Sequence, residues 1–209
     1  PPRRAGHFIF GDENLPTFFR RLAWSPDGAF LAVPAGLAAS RQSAGDYAAH
    51  VYARGAWSHP VLSLPTLAKP SVAVSFCPVF FDREQGGPGA GSEGEGPFSE
   101  LPYRMVFAAA SLDAVAVYDT CSPEPLTVIT GLHYAGITEL AWSPDGELLA
   151  ISSSDGYCSF VSFEAGELGR PLADADLPEF VRERRELMRS GFVLPPEDEA
   201  ADAKSPGAD

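Results

Sequence analysis

The sequence predicts an all-β chain: a partial β-propeller of about three four-stranded blades over residues 1–172, followed by a short helix and an acidic tail over 173–209. Three observations predict it. The phrase LAWSPDGAFLAV at 22–33 returns as LAWSPDGELLAI at 140–151 with nine of twelve positions identical, so the chain carries an internal repeat. The distance from position 22 to position 140 holds about three units of the roughly 40 to 45 residues that build a blade, or two if one carries an insertion. Twenty Gly and 20 Pro in a chain 45% apolar point to many short strands joined by turns, not to long helices.

Taken in order, HFIF at 7–10 reads as the last strand of an earlier blade. Blade one runs RLAWSP, FLAVPA, YAAHVYA and VLSLP. Blade two opens with a weaker copy, VAVSFCP at 72–78. There Val72, Val74 and Phe76 alternate as in a strand, and Pro78 stands where Pro26 and Pro144 end the other copies. A Gly- and Glu-rich stretch follows, too poor in apolar residues to offset the entropy of ordering it. It is expected to be a disordered insertion at 82–100. YRMVFAAAS, AVAVYDT and PLTVIT complete the blade. Blade three runs ELAWSP, ELLAISSS and CSFVSF, with Pro144-Asp145-Gly146 and Asp155-Gly156 as tight turns, since Gly accepts positive φ and Asp bonds its own backbone. Propellers close at about four to eight blades, so three leave open edges. The expectation is a fragment of a longer protein, the alternative a partner that supplies the missing blades.

PEFVRERRELMRSG predicts a helix over about 178–190: Pro178 suits the first turn, Gly191 can end it, and Phe180, Val181, Leu187 and Met188 share a face. Packing on the propeller flank is expected ahead of docking in a partner's groove. PPEDEAADAKSPGAD is tail.

Composition narrows the function classes. Fifteen Lys and Arg against 28 Asp and Glu give a net charge of -13, which repels phosphate, suits a basic protein partner and leaves no direct nucleic-acid site evident. Cys77, Cys121 and Cys158 form no C-x-x-C pair and leave an odd one, which argues for a reducing compartment without disulfides or a zinc knuckle. The first residues lack a signal-peptide apolar core and no segment approaches a membrane span of ~20 apolar residues. His7, His50 and His59 have no suitably spaced partners, so neither metal nor cofactor is expected. Gly89 to Gly94 match G-x-G-x-x-G, but the neighbouring Glu93 and Glu95 and the lack of a helix start make the match accidental.

Gly131-Leu132-His133 precedes the third repeat, with Ser153 and Asp155 at its second hairpin. This resembles the WD-repeat pattern, in which a His on the loop into the first strand bonds an Asp in the second hairpin, supported by a Ser or Thr. The resemblance implies a structural network of His133, Ser153 and Asp155, with Asp113 and Asp119 in blade two. Where the family ends its third strand in Trp-Asp, Tyr118-Asp119 and Phe163-Glu164 stand here, and Phe163 has no N–H to donate. A catalytic triad of the same His, Asp and Ser is set aside for want of a G-x-S-x-G elbow. Arg20 and Arg21, entering the first repeat strand, are candidate partner contacts that would clasp carboxylates.

FFRRLAWSPDG, the PAG at 34–36, SVAVSFCPVFF, LPYRMVFAAASLDAVAVYDT and LAISSSDGYCSFVSFEAGELGRPL go beyond the generic repeat. Together, over about 7–172, they resemble the WD-repeat subunits of chromatin assembly factor one, the middle, p60-type subunits. The resemblance implies a non-catalytic, nuclear subunit of a histone chaperone complex in replication- and repair-coupled nucleosome assembly. Its implied partners are the large subunit of that complex, the pair of histones three and four, and the anti-silencing histone chaperone. The family's first blades and its region for the anti-silencing chaperone have no counterpart in the sequence. The rival readings are a generic WD-repeat scaffold, such as a ubiquitin-ligase substrate adaptor, and a hydrolase on a propeller.

Overall fold

The computed structural model describes residues 9–37, 47–65, 69–83, 98, 100–122 and 124–190. Two compact units divide the chain at Asp176 and Leu177. The first unit holds, among the described residues, eleven strands in three antiparallel sheets, each sheet a blade.

In blade one β1 (Ala23–Trp24), β2 (Phe30–Leu37), β3 (Tyr47–Ala53) and β4 (Leu62–Pro65) pair in chain order. The SPDG turn joins the first two, with Gly28 at φ 64°, a conformation a side chain disfavours. A bulge between Val33 and Gly36 bends β2, and Ala35 takes the left-handed conformation at φ 61°. Bending turns the last residues of β2 toward the preceding chain: Leu37 N–H donates to Ile9 at 2.8 Å and Phe10 bridges Gly36. The described end of HFIF therefore joins blade one itself, along the part of β2 that lies beyond the two residues paired with β1.

Blade two pairs β5 (Ser71–Phe81), β6 (Arg104–Ser111), β7 (Ala114–Asp119) and β8 (Thr127–Thr130) in order. Pro78 does not end its strand. The register shifts between Phe76 and Phe80, a bulge that spares the proline a ladder bond it cannot donate, and pairing resumes at Phe80 with Met105. Of the insertion expected at 82–100, residues 84–97 and 99 lie outside the described residues, as does the Gly89 to Gly94 match. Its ends are ordered: Phe98 is buried 4.8 Å from the Phe30 ring, and Arg83 donates to the carbonyls of Phe98 and Leu101. One aromatic ring in a polar stretch is enough to anchor it, which averaged composition conceals.

Blade three has three strands, not four, among the described residues: β9 (Ile137–Trp142), β10 (Leu148–Ser153) and β11 (Cys158–Ser162), in the order β11-β10-β9. After β11 the chain turns back through Gly166 (φ 84°) and Gly169 (φ 103°) to the end of β5. There Asp82 N–H donates to Arg170 and Leu172 N–H to Phe80, both at 2.8 Å, and Pro171 bridges Phe81.

Alternation along the strands packs the blades face to face. Val106, Ala108, Val115 and Val117 of blade two form one core with Ile137, Leu140, Leu149 and Ile151 of blade three. Each such fully buried Val, Leu or Ile contributes roughly 1.5–3 kcal/mol. The second unit holds α1 (Glu179–Ser190), started by Pro178, whose carbonyl accepts from Val181 and Arg182. Phe180 and Leu187 are exposed, and Gly191 with the tail lies outside the described residues. Among the described residues no helix is long and apolar enough to cross a membrane.

Candidate functional site

The repeated SPDG turn is a small hydrogen-bonded device. In blade one Ser25 Oγ accepts from Phe30 N–H at 2.9 Å and donates to the Asp27 carboxylate, whose Oδ1 takes Ala29 N–H at 2.9 Å. In blade three Ser143 and Asp145 repeat it with Leu148 N–H at 2.9 Å and Glu147 N–H at 3.0 Å. The copies differ in surroundings. Asp27 is buried and its second oxygen accepts from Tyr103 Oη at 2.7 Å, whereas Asp145 is exposed. The Ser143 hydroxyl and then Glu147 N–H hold the Asp145 carboxyl below the usual carboxylate range.

Tyr103 opens the second device. Its ring meets Phe80 at 4.9 Å, and the next residue, Arg104, lies buried with Nη1 2.8 Å from Asp119 Oδ2. The other guanidinium nitrogen, Nη2, donates to the Leu168 carbonyl beyond blade three. Nε has no hydrogen-bond partner among the described residues, and Phe81 lies 5.6 Å from the guanidinium carbon. Asp119 Oδ1 accepts from Cys121 and Ser122 N–H, both at 2.9 Å. This Tyr-Arg pair thus fastens the SPDG turn of blade one, the end of blade two and the chain after blade three.

His133, Ser153 and Asp155 come together. His133 Nδ1 lies 3.1 Å from Asp155 Oδ2, which also takes Tyr134 N–H, and Asp155 Oδ1 takes Tyr157 N–H at 3.0 Å. Burial opposes ionisation of Asp155, but the Tyr157 and Tyr134 N–H groups and the His133 ring outweigh it, so its carboxyl sits below the usual range. Ser153 Oγ donates to the carbonyls of Ala135 and Gly136, each at 3.1 Å, and accepts from Asp155 N–H. His133 Nε2 is buried without a hydrogen-bond partner among the described residues. The hydroxyl is therefore committed to backbone rather than to the imidazole, and no Ser-to-His proton relay is assembled.

The remaining candidates lie apart. Asp113 holds Lys69 at 2.9 Å and Ser111 Oγ at 3.1 Å, and the Lys69 ammonium above all keeps its carboxyl below the usual range. Asp119 belongs with Arg104, at the other end of β7 from Asp113. Arg20 donates to the Gly11 and Asp12 carbonyls, while Arg21 pairs with Glu139 of blade three at 2.8 Å. Arg21 does clasp a carboxylate, but one of its own chain.

Strand register corrects the placing of Trp-Asp in blade three. Matched on Ser111 and Ser153, the residues equivalent to Tyr118 and Asp119 are Val161 and Ser162, opposite Leu149 and Leu148, not Phe163 and Glu164. Residue type had suggested an aromatic beside an acid, but the ladder of β11 ends at Ser162, before that pair begins. Phe163 instead stacks on Trp142 at 5.4 Å.

Two features had no motif to announce them. His50 is buried between Ser63 Oγ and the Ile9 carbonyl, each at 2.9 Å, and Gly36 lacks a Cβ that would lie 2.5 Å from its ring. Cys77 is buried under the Gly146 turn, and burial pushes its thiol up to about 11. The described residues contain no group of three or more His, Cys, Asp or Glu placed to hold a metal ion.

Comparison with known proteins follows the fold. The CAF1B/HIR1 beta-propeller domain model matches residues 3–168. Chromatin assembly factor 1 subunit FAS2 homolog of Oryza sativa is 48% identical over 171 residues, 82% of this chain and 32% of that protein. A chromatin assembly factor 1 subunit of Mus musculus is 43% identical over 171 residues, 79% of this chain and 29% of that protein. Protein HIR1 of Candida albicans is 31% identical over 188 residues, 89% of this chain and 19% of that protein. The chain spans about a third of the length of the chromatin assembly relatives it matches. Three packed four-stranded or three-stranded blades and a domain match along most of their length have one reading: the chain belongs to the CAF1B/HIR1 β-propeller domain family.

Proposed function

We propose that this chain serves as the propeller platform of a non-catalytic histone chaperone subunit, acting in the nucleus in replication- and repair-coupled chromatin assembly. The observation that carries the reading is the 48% identity over 82% of the chain to a relative named as a chromatin assembly factor 1 subunit, against 31% for Protein HIR1. The proposed partners are the large subunit of the assembly complex, the pair of histones three and four, and the anti-silencing histone chaperone. The net charge of -13 supports a basic cargo, because opposite charge speeds encounter and fixes orientation. The commitment of Ser153 Oγ to backbone carbonyls supports a platform over a hydrolase.

The test is affinity purification of the epitope-tagged protein from replicating cells, followed by mass spectrometry. Recovery of the large assembly subunit with acetylated histones is the expected result. Recovery of cullin-type ligase components in their place would overturn the reading in favour of a substrate adaptor.

A further inference from the structure

Asp113 in blade two and Asp155 in blade three hold the same place, but different cations meet them. Each carboxylate lies two residues beyond the serine that ends β6 or β10, and each is met by a side chain on the link that enters its blade. In blade three that side chain is His133, and the pair lies inside, with 3% of the His133 and 11% of the Asp155 side chain exposed. In blade two it is Lys69, whose Nζ lies 2.9 Å from Asp113 Oδ2, and half of each side chain is exposed. An imidazole shut inside one blade is thus replaced by a primary amine open to water in the other.

Composition singles that amine out. Lys69 and Lys204 are the two lysines among the 15 Lys and Arg of the chain, and Lys69 is the one lysine among the described residues. The cations that hold carbonyls and carboxylates elsewhere in the blades, Arg21, Arg54, Arg83 and Arg104, are guanidinium groups, which stay charged and are poor acyl acceptors. Lys69 stands on the link from β4 to β5, at the strand ends and not on a blade face. The hairpin that carries Asp113 borders the joint of blades two and three. There the Leu112 carbonyl accepts from Ile137 N–H at 3.0 Å, and a Cβ on Gly136 would lie 3.2 Å from Leu112 Cδ2.

We propose that Lys69 is an acylation site, modified from an acyl thioester, and that its acylation opens the Asp113 carboxylate beside the joint of blades two and three. The uncharged amine attacks the thioester carbonyl carbon, the C–S bond breaks, and the departing thiolate takes the amine's proton. An amide and a thiol result, with no change of oxidation state. The amide has no charge, so Asp113 loses its cation, whereas Asp155 keeps the imidazole inside its own blade. The change in charge is confined to one hairpin. Given the platform reading above, on which this consequence rests, an open carboxylate adds to the attraction for a basic partner.

Mass spectrometry of the full-length protein from replicating cells tests the site. Trypsin does not cut before Pro70, so residues 55–83 leave as one peptide, which is expected to carry an acyl group on Lys69 in a share of the molecules. A chain made with acetyl-lysine in place of Lys69 tests the consequence. By carboxyl 13C NMR, Asp113 is expected to titrate at higher pH than in the unmodified chain, since Lys69 is the main influence that lowers it, while Asp155 keeps its titration. Lys69→Arg removes the acyl group but keeps the low titration of Asp113, because it still supplies a cation. Lys69 found bare in replicating and resting cells alike overturns the proposal, as does the glycine-glycine remnant of ubiquitin in place of an acyl group. An Asp113 titration indifferent to acetylation overturns it too. Recovery of the large assembly subunit on protein whose Lys69 is bare sinks this inference alone and leaves the platform reading standing.

Discussion

Arg104 carries a full charge into the interior, where Asp119 and the Leu168 carbonyl meet it. Removing one partner of a buried pair strands the other, which typically costs about 3–5 kcal/mol, while replacing both with apolar residues is far milder. Urea denaturation of Arg104→Met, Asp119→Leu and the double variant is expected to show two large losses that do not add. Losses below about 1 kcal/mol in the single variants would mean that packing, not charge, fastens the blades. Asp113, Asp145 and Asp155 all titrate below the ordinary carboxylate value in the folded chain, so near that value the unfolded chain binds more protons. Their stabilisation is present above the unfolded value of about 3.9 and lost as pH falls through the folded values. Melting temperature followed from pH 6 to pH 2 should therefore fall most steeply below about pH 4, with a shallower slope in Asp155→Asn than in the parent.

Turns set the scale of the element. Gly146 combines φ 75° with a site where a Cβ would lie 2.7 Å from Cys77 Sγ, while Gly156 combines φ 88° with open space. Gly156→Ala should cost only the left-handed strain of about 1–2 kcal/mol, and Gly146→Ala clearly more, since the blade three hairpin must lift off β5. Equal losses in thermal denaturation would show that the hairpin yields freely. Tyr103→Phe removes one donor from the buried Asp27 and should cost about 1–3 kcal/mol without moving the fold, as seen by unchanged circular dichroism. These elements also show what a sequence can disclose. Repetition made β1, β2, β9 and β10 legible, because two copies of one phrase must fold alike, and Asp-Gly pairs marked the turns. The joints were not legible: Tyr103 and Asp27 stand 76 positions apart with no local period to link them. The passage of β5 through Pro78 was hidden too, since a bulge is a property of pairing and not of one strand. His133 with Asp155 was readable because the family's spacing is short, whereas the Arg104 pair needed the fold.

Over the whole molecule, the excess of 28 acidic over 15 basic side chains sets long-range behaviour. If the proposed basic partner binds through that field, its affinity should fall about tenfold or more between roughly 0.05 and 0.5 M salt, measured by fluorescence anisotropy. Salt-independent binding would place the contact on apolar surface such as Phe18 and Tyr134. The return of the chain from blade three to blade two also has a consequence in time. Leu168 lies 64 residues after Arg104, and a ribosome adding about 5–20 residues per second needs about 3–13 seconds to deliver it. Until then the nascent second blade holds a guanidinium whose carbonyl partner has not been made, so it cannot reach its final stability as an independent folding unit. Blades two and three are expected to mature together, and the interval between them is when the emerging chain most needs a chaperone.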